Sequence, residues 1–156
     1  MRGIVVTALM LSCSATALSQ AVPAEWKVIR DARFMCQIAV PPEWTLFGDA
    51  NGAAIFHDST TAIAVVSSEA GQEFKPLTGW LLKALGVPKE RMFENSATRI
   101  FYQDKVSRSA EDTSAFSSSV PAKGGTCTCR VVFVPRVGED VAKKIALSLS
   151  AVAEKN

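Results

Sequence analysis

The chain holds a single histidine, His57, so any reaction that needs an imidazole base or nucleophile has one residue to run through. Asp58 and Ser59 follow it, but neighbours at a strand end point apart, and a triad is assembled from distant segments. A Gly-x-Ser-x-Gly elbow is missing. So is an excess of charge: 17 Lys and Arg stand against 15 Asp and Glu, a net +2. That balance argues against a phosphate-binding surface, hence against nucleic acid, and against a strongly acidic partner. No apolar run approaches the roughly 20 residues that a membrane-spanning helix needs. Internal repeats and low-complexity linkers are lacking as well. What remains to be read is a compartment, an architecture and a class of function.

The compartment is written at the start. Met1-Arg2-Gly3 leads into an apolar run over residues 4–11, then into small and hydroxylated residues ending at Ser19-Gln20-Ala21. One cation, a short greasy core and a small-x-small exit have the form of a secretory signal peptide over residues 1–21, cut after Ala21 or, as second choice, after Ala17. Ser12, Ser14, Thr16, Ser19 and Gln20 interrupt the run before it could span a bilayer. Cys13 offers a competing reading as a lipid-attachment site, although Met10-Leu11-Ser12 matches poorly the Leu and two small residues such a site prefers. Loss of residues 1–21 removes one Arg and no acid, leaving 135 residues with 16 basic and 15 acidic side chains. Residues 22–156 then form a single domain large enough for a full core. An exported protein, periplasmic or secreted, is expected, with no transmembrane segment in its mature chain.

Three cysteines stay in that domain, Cys36, Cys127 and Cys129, in an oxidising setting. Each shares a strand face with apolar residues, so all three point at the core. A bridge from Cys36 to Cys127 or Cys129 would close a loop of nearly the whole domain, worth about 4 to 5 kcal/mol in the chain-entropy model. The alternative is three buried thiols. Zinc on Cys36, Cys127, Cys129 and His57 fits poorly, because Cys-x-Cys is not the usual knuckle spacing and exported thiols oxidise. No metal and no cofactor is expected.

The organising stretch is Phe34 to Trp44: a strand with Phe34, Cys36, Ile38 and Val40 on one face, a Pro41-Pro42 stop and a tryptophan anchor. A turn over residues 48–52, with its Asn51-Gly52 pair, precedes strands over residues 53–57 and 61–67. The period then changes. Leu77, Trp80, Leu81, Ala84 and Leu85 form a helical stripe stopped by Gly86 and Pro88, and it should lie on the sheet with Trp80 in the contact. Residues 97–108 return to strand character, and residues 115–120 and 126–135 make a hairpin around Lys123-Gly124-Gly125. A last helix over residues 138–156 carries Val141, Ile145, Leu149 and Val152. The expected class is α+β: an antiparallel sheet of about six strands covered by two main amphipathic helices.

The front Phe34, Ile38, Pro41, Pro42 and Trp44, the back Ile145, Ser148 and Leu149, and the order of elements between them resemble the PsbP/Mog-like superfamily. That resemblance implies an α/β/α sandwich used mainly for docking onto other proteins, with no shared catalytic set. Together with the signal peptide it leads to an exported, non-enzymatic domain that binds another envelope or secreted protein. The expected contacts are Gly48, Asp49, Asn51 and Gly52 of the first turn and Ser109, Glu111 and Asp112 of the loop over residues 107–114. The alternative is a small periplasmic hydrolase or thiol-dependent enzyme using His57 or a free cysteine.

Overall fold

The computed structural model of the chain describes residues 22–31, 33, 35–50, 53–57, 62–106 and 113–153. The expected signal peptide, Cys13 and Phe34 lie outside them, as do Asn51, Gly52, Ser109, Glu111 and Asp112.

Strands dominate. In chain order they are β1 (Lys27–Arg30), β2 (Cys36–Val40), β3 (Thr45–Ala50), β4 (Ala53–His57) and β5 (Ala62–Ala70). After a seven-residue helix α1 (Gly79–Leu85) and a 3-10 turn (Lys89–Arg91) come β6 (Met92–Asn95), β7 (Ile100–Val106), β8 (Thr113–Ala122) and β9 (Gly125–Phe133). Helix α2 (Pro135–Leu147) and a two-residue strand β10 (Ser150–Ala151) finish the chain. Among the described residues the strands form two sheets. The larger has the order β3-β4-β5-β9-β8-β7-β6, antiparallel throughout, and the smaller β1-β2-β10.

The large sheet is two meanders, β3 to β5 and β6 to β9, joined where β5 pairs with β9 over its full length. The β8–β9 hairpin turns at Lys123-Gly124, where Gly124 takes φ +74°. Gly125 starts β9 against β5 so closely that a Cβ there would stand 2.3 Å from the Glu69 carbonyl oxygen. Cys127, Cys129, Val131 and Phe133 alternate inward from β9 and are buried. They meet Ala64 and Val66 of β5, Phe116 of β8, and Ala142, Ile145 and Ala146 of α2. Phe133 stacks on Phe116 at 5.1 Å and Phe116 on Phe101 at 5.6 Å, which extends the core toward β7.

The small sheet and α2 share this inner face. Cys36, Ile38 and Val40 enter the core from β2, and Trp44, 2% exposed, follows the Pro41-Pro42 step. A disulfide joins Cys36 to Cys127, Cα to Cα 5.5 Å, across 91 residues of sequence, and so ties the small sheet to the centre of the large one.

The architecture corrects the expected class. The protein is mostly β, and it is not a sheet covered by two main helices in an α/β/α sandwich. Only α2 packs on the sheet. No residue of α1 is buried, and Trp80, expected in the core, is 74% exposed. The stripe Trp80, Leu81, Leu85 does share one side of a helix, but that side faces solvent, and Leu82 is the residue of α1 turned partly inward. Periodicity reports which residues lie together, not what they face.

The last helix also differs from its expected span. It starts at Pro135, whose fixed φ and missing N–H suit a first turn, and it ends at Leu147. Ser148 caps it: the hydroxyl donates to the Ile145 carbonyl at 2.6 Å and accepts the Ala39 amide at 2.8 Å, which ties the helix end to β2. The chain then pairs with β2 as β10, and the Val152 amide reaches the Met35 carbonyl at 2.8 Å. Among the described residues no helix is long and apolar enough to cross a membrane.

Candidate functional site

With the small sheet and α2 on one face, the other face of β5, β9, β8 and β7 is only partly open: Ile100, Ala115 and Ser117 on it are buried, and at one end the Thr126 hydroxyl donates to the Gln72 carbonyl at 2.9 Å. Its side chains are set by register. One row runs Ser67, Thr128, Ser119, Ile100; the next runs Val65, Arg130, Ser117, Tyr102; a third runs Ile63, Val132, Ala115, Asp104. The middle strand β8 contributes only small residues to these rows, so a depression of about 250 Å³ forms between its neighbours. Ser67, Tyr102, Ser117, Ser119, Thr128 and Arg130 line it.

Arg130 reaches over β8 to Asp104 on β7. Its two terminal nitrogens donate to the two carboxylate oxygens at 2.9 and 3.2 Å, and Nη1 also lies 3.4 Å from the Ser117 hydroxyl. Small side chains at Ala115 and Ser117 leave room for that span. The fork is part-exposed, 45% for Arg130 and 23% for Asp104, so its contribution to stability is modest and its main effect is to fix both groups in direction. Beside it the Ser67 and Thr128 hydroxyls meet at 2.7 Å. The depression thus offers one cation, oriented by Asp104 outside its lining, and several hydroxyls able both to donate and to accept.

The residues singled out for chemistry do not gather. His57 ends β4 on the open side, its Nε2 3.4 Å from the Thr45 hydroxyl and its ring edge-on to Phe47 at 5.4 Å. Cys129 points to the other side of the sheet, 2% exposed. Burial pushes its thiol up to about 12, an effect that the nearby Arg99 guanidinium only partly offsets. Arg99 is itself lowered by burial, and it donates to the Ser118 hydroxyl at 2.9 Å and to the Leu149 carbonyl at 3.1 Å. Cys36 and Cys127 are consumed in their disulfide, so His57 and the three cysteines do not form one ligand set. Gly48 and Asp49 lie within β3, where a bulge between Leu46 and Gly48 bends the sheet edge. The strand ends that flank the two expected contact loops sit at opposite ends of the large sheet, Ala50 and Ala53 at one, Val106 and Thr113 at the other.

One residue that sequence reasoning passed over is Asp31, 1% exposed. Its carboxylate accepts the Met35 and Cys36 amides, each at 2.8 Å, and the Ser68 hydroxyl at 2.6 Å. It closes the β1–β2 connection and pins it to β5 beside the disulfide. An Asp directly after a strand and before a short turn was the available signal, since such side chains bond the backbone a few residues on.

No family model matches the chain, and no curated protein does. Among solved structures the chain is similar to a protein of Bacteroides thetaiotaomicron VPI-5482, whose crystal structure is at 1.50 Å resolution, with a TM-score of 0.61 and 12% identity. The match covers 83% of this chain and 50% of that one, so the chain spans about half the length of its structural neighbour. At that identity the likeness concerns the fold alone.

Proposed function

We propose that this chain is an exported, non-enzymatic binding domain that holds another envelope or secreted protein against the open face of its large sheet. The observation that carries the reading is the hydroxyl-lined depression with the Arg130–Asp104 fork across it. Such a surface presents directed donors and acceptors on rigid strands, which suits a polar segment of a partner. The disulfide supports an oxidising compartment. The placement of His57 and Cys129 on opposite faces of the sheet favours binding over a reaction that pairs them.

A photo-reactive residue introduced at Ser119, in the depression, and separately at Glu139, on the exposed side of α2, tests the proposal in the producing cell's envelope. A discrete protein adduct is expected from position 119 and not from 139. Adding Arg130→Ala should remove the adduct and leave thermal unfolding nearly unchanged. Equal adducts at both positions, no adduct at 119, or an adduct indifferent to Arg130→Ala would each overturn the assignment.

A further inference from the structure

Helix α1 is built and held by the fold, yet the fold does not use its apolar side. Seven residues are too few to stay helical alone in water. Here the ends are tied instead. Both main-chain groups of Leu77 bond the Asn95 side chain, at 2.8 and 2.9 Å, and the Thr78 hydroxyl accepts the Leu81 amide at 3.5 Å. At the other end Gly86 turns left-handed, φ +64°, with its amide on the Lys83 carbonyl at 3.2 Å. Between these anchors Trp80 is 74%, Leu85 46% and Leu81 39% exposed. Large apolar groups presented together on a capped helix mark a surface that something covers.

The dimensions argue against a second copy. At 1.5 Å per residue α1 is about 10 Å long, and two such helices cannot approach the roughly 800 Å² per partner of a stable interface. The charges point elsewhere. From Leu77 to Met92 the cations are Lys83, in the last turn of α1, Lys89 and Arg91, and the acid is Glu90, which lies beyond the helix, while Lys75 just before it pairs with Glu73 at 2.8 Å. Tryptophan beside leucines, with lysine and arginine alongside, is the combination that settles at a bilayer's headgroup boundary. We infer that α1 is a peripheral membrane anchor, lying flat on an anionic phospholipid surface with Trp80, Leu81 and Leu85 inserted and its neighbouring cations on the phosphates. No residue of α1 lines the open-face depression, so this inference stands apart from the proposed partner site.

Co-sedimentation of the full chain with phosphatidylcholine vesicles, with and without about a third phosphatidylglycerol, tests it. Comparison of the full chain with its own Trp80→Ala/Leu85→Ala variant cancels any contribution of the apolar run near the start. Binding should prefer the anionic vesicles, weaken between roughly 0.1 M and 1 M salt, and fall about tenfold or more in the double variant. Lys83→Glu/Lys89→Glu, which leaves the apolar face intact, should lose the anionic preference. Emission should shift to the blue on binding and be quenched by brominated lipid, and Trp80→Phe should abolish both changes. No residue of α1 is buried, so the variants should unfold at the wild-type temperature, which is checked first. Equal sedimentation of wild type and the double variant would overturn the inference. So would a wild type that ignores the vesicles, or one whose α1 mediates self-association or protein binding in their absence.

Discussion

Replacing Asp31 probes the joint between the two sheets more sharply than any core truncation. Its carboxylate has four donors: the Met35 and Cys36 amides on Oδ1 and, on Oδ2, the Ser68 hydroxyl and the Arg33 amide at 3.3 Å. In Asp31→Ala the Cys36 amide and the Ser68 hydroxyl stay buried without their acceptor, each at about 1 to 3 kcal/mol. The Arg33 and Met35 amides are closer to solvent and can turn to water. A loss of about 3 to 4 kcal/mol follows, equivalent to roughly 10 °C in Tm for a domain of this size. Asp31→Asn keeps Oδ1 for the two amides and presents an NH2 to Ser68, whose hydroxyl can rotate to accept it, so about 1 to 2 kcal/mol is expected. Urea unfolding of the oxidised protein measures both variants, alone and combined with Ser68→Ala. Asp31→Ala and Ser68→Ala share a hydrogen bond, so their effects must be non-additive by more than about 0.5 kcal/mol. An Asp31→Ala cost below about 1 kcal/mol, or strict additivity, would refute the role assigned to this carboxylate.

Two further outcomes follow from the inner face. The Cys129 thiol, raised to about 12, should resist alkylation in the native protein at pH 9 and react once when it is unfolded. Because the folded state keeps a proton that the unfolded state releases above about 9, stability should fall as pH rises from about 9 toward 12, by up to about 1.4 kcal/mol per pH unit. Alkaline urea titrations of Cys129→Ala should lose that slope, and an unchanged slope would count against the burial argument. Gly125→Ala should destabilise by about 3 kcal/mol or more, since its Cβ would meet the Glu69 main-chain oxygen at 2.3 Å and only a parting of β5 from β9 relieves it. A thermal melt within a few degrees of wild type would show that the strands give way more easily than their pairing suggests.

Much of the inner face was readable from alternation. Cys36, Ile38 and Val40 on β2 and Cys127 to Phe133 on β9 keep the period of two, and both sets are buried. The β8–β9 turn was marked by Lys123-Gly124-Gly125. The second sheet was not readable, because β10 is two residues long and carries no periodic signal of its own. Leu149 and Val152 continue the α2 stripe at helical spacing, yet the chain has left the helix by then. The Ser148 hydroxyl, bonded to both Ile145 and Ala39, and the pairing of β10 with β2 hold the chain in that exit, and neither leaves a mark in the hydrophobic pattern. Helix α1 failed in the opposite way: the element is there, but its apolar side has no place in the core.

The open face shows why a binding surface of this kind escapes sequence reading. Thr128, Arg130, Ser117 and Asp104 each look like the wet side of an antiparallel strand, which is the ordinary condition of such strands. Only the register, which puts Arg130 across from Ser117 and one row from Asp104, turns them into an oriented group. That register is held from behind. Cys127 of β9 is bridged to Cys36, Ser68 of β5 is bonded to Asp31, and Arg99 before β7 is bonded to Ser118 and to the chain after α2. The strands that carry the depression are therefore locked by covalent and polar links on the inner side, while the exposed Arg130 on the other side contributes little to stability. Substitutions at Arg130 or Ser119 can then change what the surface binds without changing the fold, whereas substitutions behind it change both.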